Sequence, residues 1–104
     1  MKPEDVRVCV MRIEGTNAED EMADAFTAVG AQAEKVHLKQ LIGQSSEMRR
    51  RSLEDYDVLV FAGGFSAGDY VRAGALFAAR IKASLGSDIR RFVEAEKLVL
   101  GVCN

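Results

Sequence analysis

Two stretches of this 104-residue chain carry residue types able to do chemistry. The first is Gly101-Val102-Cys103-Asn104, at the end of the apolar run that begins at Leu98. A glycine, one residue, then a cysteine at the tip of a buried strand is the first half of a nucleophile elbow. Such an elbow needs a sharp strand-to-helix turn that exposes the side chain, and Gly101 supplies one of the small neighbours that let the backbone fold tightly. A helix after the turn would aim its N-terminal amides at the sulfur and favour the thiolate. The amide of Asn104, the residue after the cysteine, would be one oxyanion donor. The same four residues also read as a small buried cysteine capping a strand. Taken alone they leave both readings open.

The second stretch is Gly63-Gly64-Phe65-Ser66-Ala67-Gly68-Asp69-Tyr70. Glycines directly after a strand let backbone N–H groups approach a ligand closely. There is no Gly-Lys-Ser/Thr ending and no G-x-G-x-x-G spacing, so a phosphate cradle fits poorly. An oxyanion donor fits better, because the loop would face the cysteine across one sheet edge, and Ser66 and Asp69 could orient a polar substrate. The competing reading is a glycine-rich turn whose Asp69 caps the next helix.

Other candidates carry less. His37, the one histidine, lies in or beside a strand and reads as structural or surface rather than as a base. Cys9 stands mid-strand and reads as a small core residue. Arg49-Arg50-Arg51 is a basic run balanced by Glu47, Glu54 and Asp55; a solvated face is the simplest account, with an acidic partner surface the other. No His/Cys/Asp/Glu spacing resembles a metal site, and there is no paired-thiol motif.

The elements that must position these residues alternate between strand and helix. Val6–Ile13 reads as a strand. Thr16 or Asn17 would cap a helix with Glu19, Asp20 and Glu21 in its first turn, apolar Met22, Ala25, Phe26 and Val29, and a stop at Gly30. A weaker strand is expected over Lys35–Leu38 and a short polar helix over Ser46–Leu53. Asp57–Ala62 is a continuous apolar run of the kind covered on both faces in parallel sheets. Val71–Leu85 reads as helix interrupted by Gly86. Ser87 would cap a further helix with apolar Ile89, Phe92 and Val93, and Leu98–Asn104 would be the last strand. This alternation predicts a parallel α/β sheet with right-handed crossovers. Ligands bind outside the carboxyl ends of such strands. The loops at Glu14–Asn17, Gly63–Asp69 and Cys103–Asn104 should therefore share one edge.

Composition sets the bounds. The chain is 48% hydrophobic and 29% charged with one proline, which is one small domain able to bury roughly two-thirds of its unfolded surface. Fourteen basic against sixteen acidic residues give no pull toward nucleic acid or an anionic membrane. No apolar run is long enough to span a bilayer, and no signal peptide is expected. Two cysteines are too few for a disulfide scaffold, so a reduced, cytoplasmic setting is the expectation.

Taken in order, Met11-Arg12-Ile13-Glu14-Gly15-Thr16-Asn17, then Gly63 through Ala75, then Gly101-Val102-Cys103-Asn104 resemble the glutaminase subunits of phosphoribosylformylglycinamidine synthase. These are class I, triad-type glutamine amidotransferases of purine synthesis, and the resemblance runs along essentially the whole chain. It implies a flavodoxin-like three-layer sandwich, incomplete at its C-terminus. It also implies that Cys103 attacks the glutamine side-chain amide, forming a thioester and releasing ammonia, and that water then frees glutamate. Gly64 and Phe65 would build the oxyanion hole with the amide of Asn104, and Ser66, Gly68 and Asp69 would belong to the glutamine site. The ammonia would pass to a large synthase subunit that uses ATP and Mg, with a small accessory subunit completing the complex; no cofactor is implied for this chain.

Two departures stand out. Ala67 occupies a position where many members have tyrosine. The family also continues past this point with Gly-Phe-Gln and, later, the triad histidine and glutamate, whose place His37 cannot take. Residues 1–104 are thus expected to be the N-terminal part of one amidotransferase domain, cut just after the nucleophile, inactive alone and prone to self-association through uncovered apolar surface. The competing classes are a non-catalytic flavodoxin-like binding or interaction module and another amidase or protease with a cysteine elbow.

Overall fold

The computed structural model describes residues 2–12, 19–43, 49–61, 83 and 85–101. In chain order these form β1 (Arg7–Arg12), α1 (Glu19–Ala28), β2 (Gln32–His37), α2 (Leu38–Ile42), β3 (Val58–Phe61), a helical segment over 85–94 and β4 (Leu98–Gly101). Short 3-10 turns at Pro3–Asp5 and Leu53–Asp55 lead into β1 and β3. The four strands make one sheet in the order β2-β1-β3-β4, and all three pairings are parallel. This is the flavodoxin-type order.

Period-2 alternation of β1 sorts the core into two layers. Val8 and Val10 face one side with Val58 and Val60, and Met22, Ala23 and Phe26 of α1 pack over them. Cys9 and Met11 face the other side with Val36 and Leu59, covered by Leu38 and Leu41 of α2, by Leu53 and Tyr56, and by Leu85 and Phe92. Residues Val8 to Met11 are fully buried, as expected of a central strand covered on both faces. The result is the expected three-layer α/β sandwich. At the amino ends of the strands Asp57 holds the register. Its Oδ2 accepts from the amide of Arg7 at 2.9 Å, its own amide donates to the Arg7 carbonyl at 2.8 Å, and its carbonyl accepts from the amide of Leu98 at 3.3 Å.

Several boundaries differ from the sequence reading. Ala25 and Val29 are exposed, and Ala23 takes the inward position between Met22 and Phe26. Helix α1 does stop at Gly30, whose φ of +93° suits glycine. β2 starts earlier than expected, and Leu38 opens α2 instead of ending a strand. The cause is His37: its Nδ1 accepts from the amide of Lys39 at 3.1 Å, while its own amide donates to Gln40 Oε1 at 2.9 Å. That reciprocal cap turns the chain out of the sheet.

Residues 49–52 are not helical, so the described part of the expected 46–53 helix is replaced by an extended lead into the Leu53–Asp55 turn. The expected 71–82 stretch lies outside the described residues. Residues 83 and 85–94 are helical, so Gly86 sits within a helix and Ser87 does not begin one. Leu85, Ile89 and Phe92 form its inward face at i, i+4, i+7 spacing, which leaves Val93 54% exposed. β4 is covered on one face only: Val99 packs on the Cys9 layer, while Leu98 is 61% and Leu100 38% exposed.

Candidate active site

The carboxyl ends of all four strands lie along one edge in register. Arg12 is paired with His37, Met11 with Phe61, and Phe61 with Gly101. From β1 the chain first moves outward to β2, then crosses back to β3 and continues to β4. The order therefore reverses between β1 and β3, and the crevice outside their carboxyl ends is where open α/β sheets bind ligands. Three connections leave that edge: 13–18 after β1, the glycine-rich segment after Phe61, and the Cys103 segment after Gly101. Neighbouring parallel strands lie about 4.8 Å apart, so the last two depart from adjacent points.

The candidate residues themselves, Gly64, Phe65, Ser66, Gly68, Asp69, Cys103 and Asn104, lie outside the described residues. What the fold decides is the pairing that leads to them. Gly64 stands three residues beyond Phe61 and Cys103 two beyond its partner Gly101. Sequence spacing alone could not supply that neighbourhood, because thirty-odd residues separate the two segments.

The weaker candidates resolve into structural roles. His37 is 5% exposed and its Nδ1 is committed to the α2 cap. Cys9 is buried mid-sheet, and burial together with the nearby Glu34 carboxylate pushes its thiol up to about 12. Such a thiol is not a nucleophile at neutral pH. Glu34 anchors a polar cluster at the rim of the same layer, accepting from Tyr56 Oη at 2.5 Å and from Arg51 Nε at 2.7 Å. Partial burial raises the Glu34 carboxyl, but these two hydrogen bonds and the guanidinium charge outweigh it and hold the group below its ordinary value. Burial and the bond to Glu34 push the Tyr56 phenol up, so it stays a donor. Arg7 stacks over the Tyr56 ring at 5.3 Å from its centroid.

Two atoms at the switch point were not singled out from sequence. Arg12 Nε and Glu19 Oε2, which flank the 13–18 connection, are buried without a hydrogen-bond partner among the described residues. A guanidinium donor and a carboxylate acceptor are thus left unmet beside the crevice. Arg12 at a strand end and Glu19 in the first turn of a helix were legible, but nothing in the sequence signals burial without a partner. Among the described residues no three His, Cys, Asp or Glu side chains are grouped to hold a metal ion, and no helix is long and apolar enough to cross a membrane.

The family model of the CobB/CobQ-like glutamine amidotransferase domain matches residues 5–104. The phosphoribosylformylglycinamidine synthase subunit PurQ of Archaeoglobus fulgidus is 50% identical over 105 residues, covering 100% of this chain and 39% of that protein. The PurQ subunit of Picrophilus torridus is 43% identical over 98 residues, covering 94% of this chain and 37% of that protein. Among solved structures, that of PurLQS from Thermotoga maritima matches with a TM-score of 0.68 and 31% identity, over 93% of this chain and 39% of the matched chain. The chain thus spans about two-fifths of the length of the relatives it matches. With a flavodoxin-ordered parallel sheet, a switch-point edge fed by β3 and β4, and a family match that runs from Asp5 through Asn104, this chain belongs to the CobB/CobQ-like glutamine amidotransferase family.

Proposed function

We propose that this chain is part of the glutaminase subunit of phosphoribosylformylglycinamidine synthase, and that the longer protein supplies ammonia from glutamine to a synthase partner. The observation that carries the reading is the Phe61–Gly101 register, which starts the glycine-rich and cysteine segments from adjacent strand ends in a chain whose relatives are PurQ subunits. In this reading the Cys103 thiolate attacks the side-chain amide carbon of glutamine. The resulting oxyanion is held by the amides of Gly64, Phe65 and Asn104, donors aimed where charge develops. Collapse expels ammonia, with the proton it needs coming from a general acid, and leaves a γ-glutamyl thioester that water hydrolyses to glutamate. Ser66, Gly68 and Asp69 would orient the glutamine.

The acid–base partner is assigned to residues outside this chain, since His37 is occupied by its cap. ATP and Mg chemistry is assigned to the large synthase subunit, with a small third subunit as a further partner and the cytoplasm as the setting. Self-association of this chain through the uncovered face of β4, where Leu98 and Leu100 are exposed, is part of the same proposal.

The test is affinity labelling of the longer gene product with the glutamine analogue 6-diazo-5-oxo-L-norleucine. One label on Cys103, abolished by Cys103→Ala and blocked by glutamine, is expected. Labelling that fails, or that survives Cys103→Ala, overturns the reading in favour of a structural cysteine.

A further inference from the structure

On the layer that carries α2 and the 85–94 helix lies a cavity of about 380 Å³. Most of its walls come from the segments that lead into the amino ends of β3 and β4, with Leu41 of α2 beside them. Four cations line it, Arg50, Arg51, Arg91 and Lys97, against the carboxylates of Glu54 and Asp88. That excess of positive charge stands in a chain whose formal net charge is -2. Two of the cations are already paired: Arg91 with Asp88, and Arg51 with Glu34, which is not among the residues lining the cavity.

The other two are not neutralised among the described residues. Lys97 Nζ donates to the Glu54 backbone carbonyl at 3.2 Å and sits 5.3 Å from the centroid of the Phe92 ring, and it makes no ion pair among the described residues. Arg50 is exposed and makes no ion pair among the described residues. Its guanidinium is held against Gly43, where an added Cβ would collide with it. The basic run Arg49-Arg50-Arg51, which the amidotransferase reading leaves without a role, thus contributes two guanidinia to a concave surface floored by Leu53, Leu85 and Phe92.

We propose that this cavity binds a small phosphate ester carrying a flat apolar group. Arg50 and Lys97 line the same cavity, and a phosphate offers the three oxygens and charge to engage a guanidinium fork and an ammonium together. The apolar floor takes the organic portion, and the volume is that of a small-molecule site. The inference does not depend on the glutaminase reading.

The test titrates this chain with adenosine 5′-monophosphate, followed by amide shifts in two-dimensional NMR. Saturable binding with a Kd below about 1 mM is expected, with shifts centred on Arg50, Ser52, Arg91 and Lys97 and weakening as salt rises. Adenosine should bind at least about tenfold more weakly, and so should the monophosphate to Arg50→Glu, since each lacks one of the facing charges. Arg50 is exposed and makes no ion pair among the described residues, so its replacement should leave the core resonances of Tyr56 and Phe92 unmoved; Lys97→Glu serves if it does not. Absent saturation, shifts centred on the carboxyl edge, or full affinity in both variants would overturn the proposal. Tighter binding of hexaglutamate than of the monophosphate would overturn it too, in favour of an acidic protein segment.

Discussion

Cys9 and Glu34 face each other across the β1–β2 ladder, and the carboxylate acts on the thiol. The carboxylate and the surrounding apolar layer keep Cys9 a thiol, pushed up to about 12. Iodoacetamide at pH 7.5 should therefore leave Cys9 unmodified in the native chain and alkylate it only after unfolding, as read by peptide mass spectrometry. Rapid native alkylation of Cys9 would contradict its burial. Glu34 carries the pH dependence. Its folded carboxyl lies below its ordinary value, so the stabilisation it supplies is complete above about pH 4.5 and is lost as pH falls through the folded value. Glu34→Gln should cost about 1 kcal/mol at pH 7, a modest figure because the pair is partly solvated. The gap in melting temperature between the two proteins should narrow steadily as the pH falls below about 4.5; a gap that stays constant with pH would exclude this role.

At the scale of elements, α2 shows how a single residue redirects the chain. Five residues would not hold a helix by propensity alone. The His37 cap, the buried pair Leu38 and Leu41, and the left-handed Gly43 C-cap at φ +71° supply what propensity lacks. Gly43→Ala should cost about 1–2 kcal/mol, since it forces a side chain into the left-handed region and into Arg50. Urea denaturation would show it as a lower midpoint with an unchanged slope. Strands were the most legible elements, because β1 and β3 are covered on both faces and so read as unbroken apolar runs. Helix ends were less legible. Gly86 reads as a break, yet the inward residues Leu85, Ile89 and Phe92 keep the helix intact around it, so packing outweighs the roughly 1 kcal/mol cost of a helical glycine.

For the whole molecule, the outer strand matters most. β4 is the last strand of the described sheet, and Leu98 and Leu100 leave one of its faces in solvent. Uncovered apolar surface on an edge strand promotes pairing with a second chain. Sedimentation equilibrium should show concentration-dependent association, weakened at least about tenfold by Leu98→Lys. A monomer at millimolar concentration would count against it.

The sequence by itself determined the chemistry on offer: a cysteine after Gly101, glycines after Phe61, and the alternation that predicts a parallel sheet. Those signals are local, because turn geometry and apolar periodicity depend on neighbours in the chain. Only the tertiary structure decided that β3 and β4 are adjacent and end in register, that His37 is a cap, that Leu98 and Leu100 are uncovered, and that Arg50 and Lys97 line one cavity. Each of those facts joins residues far apart in the chain, and they are settled by which surfaces bury one another.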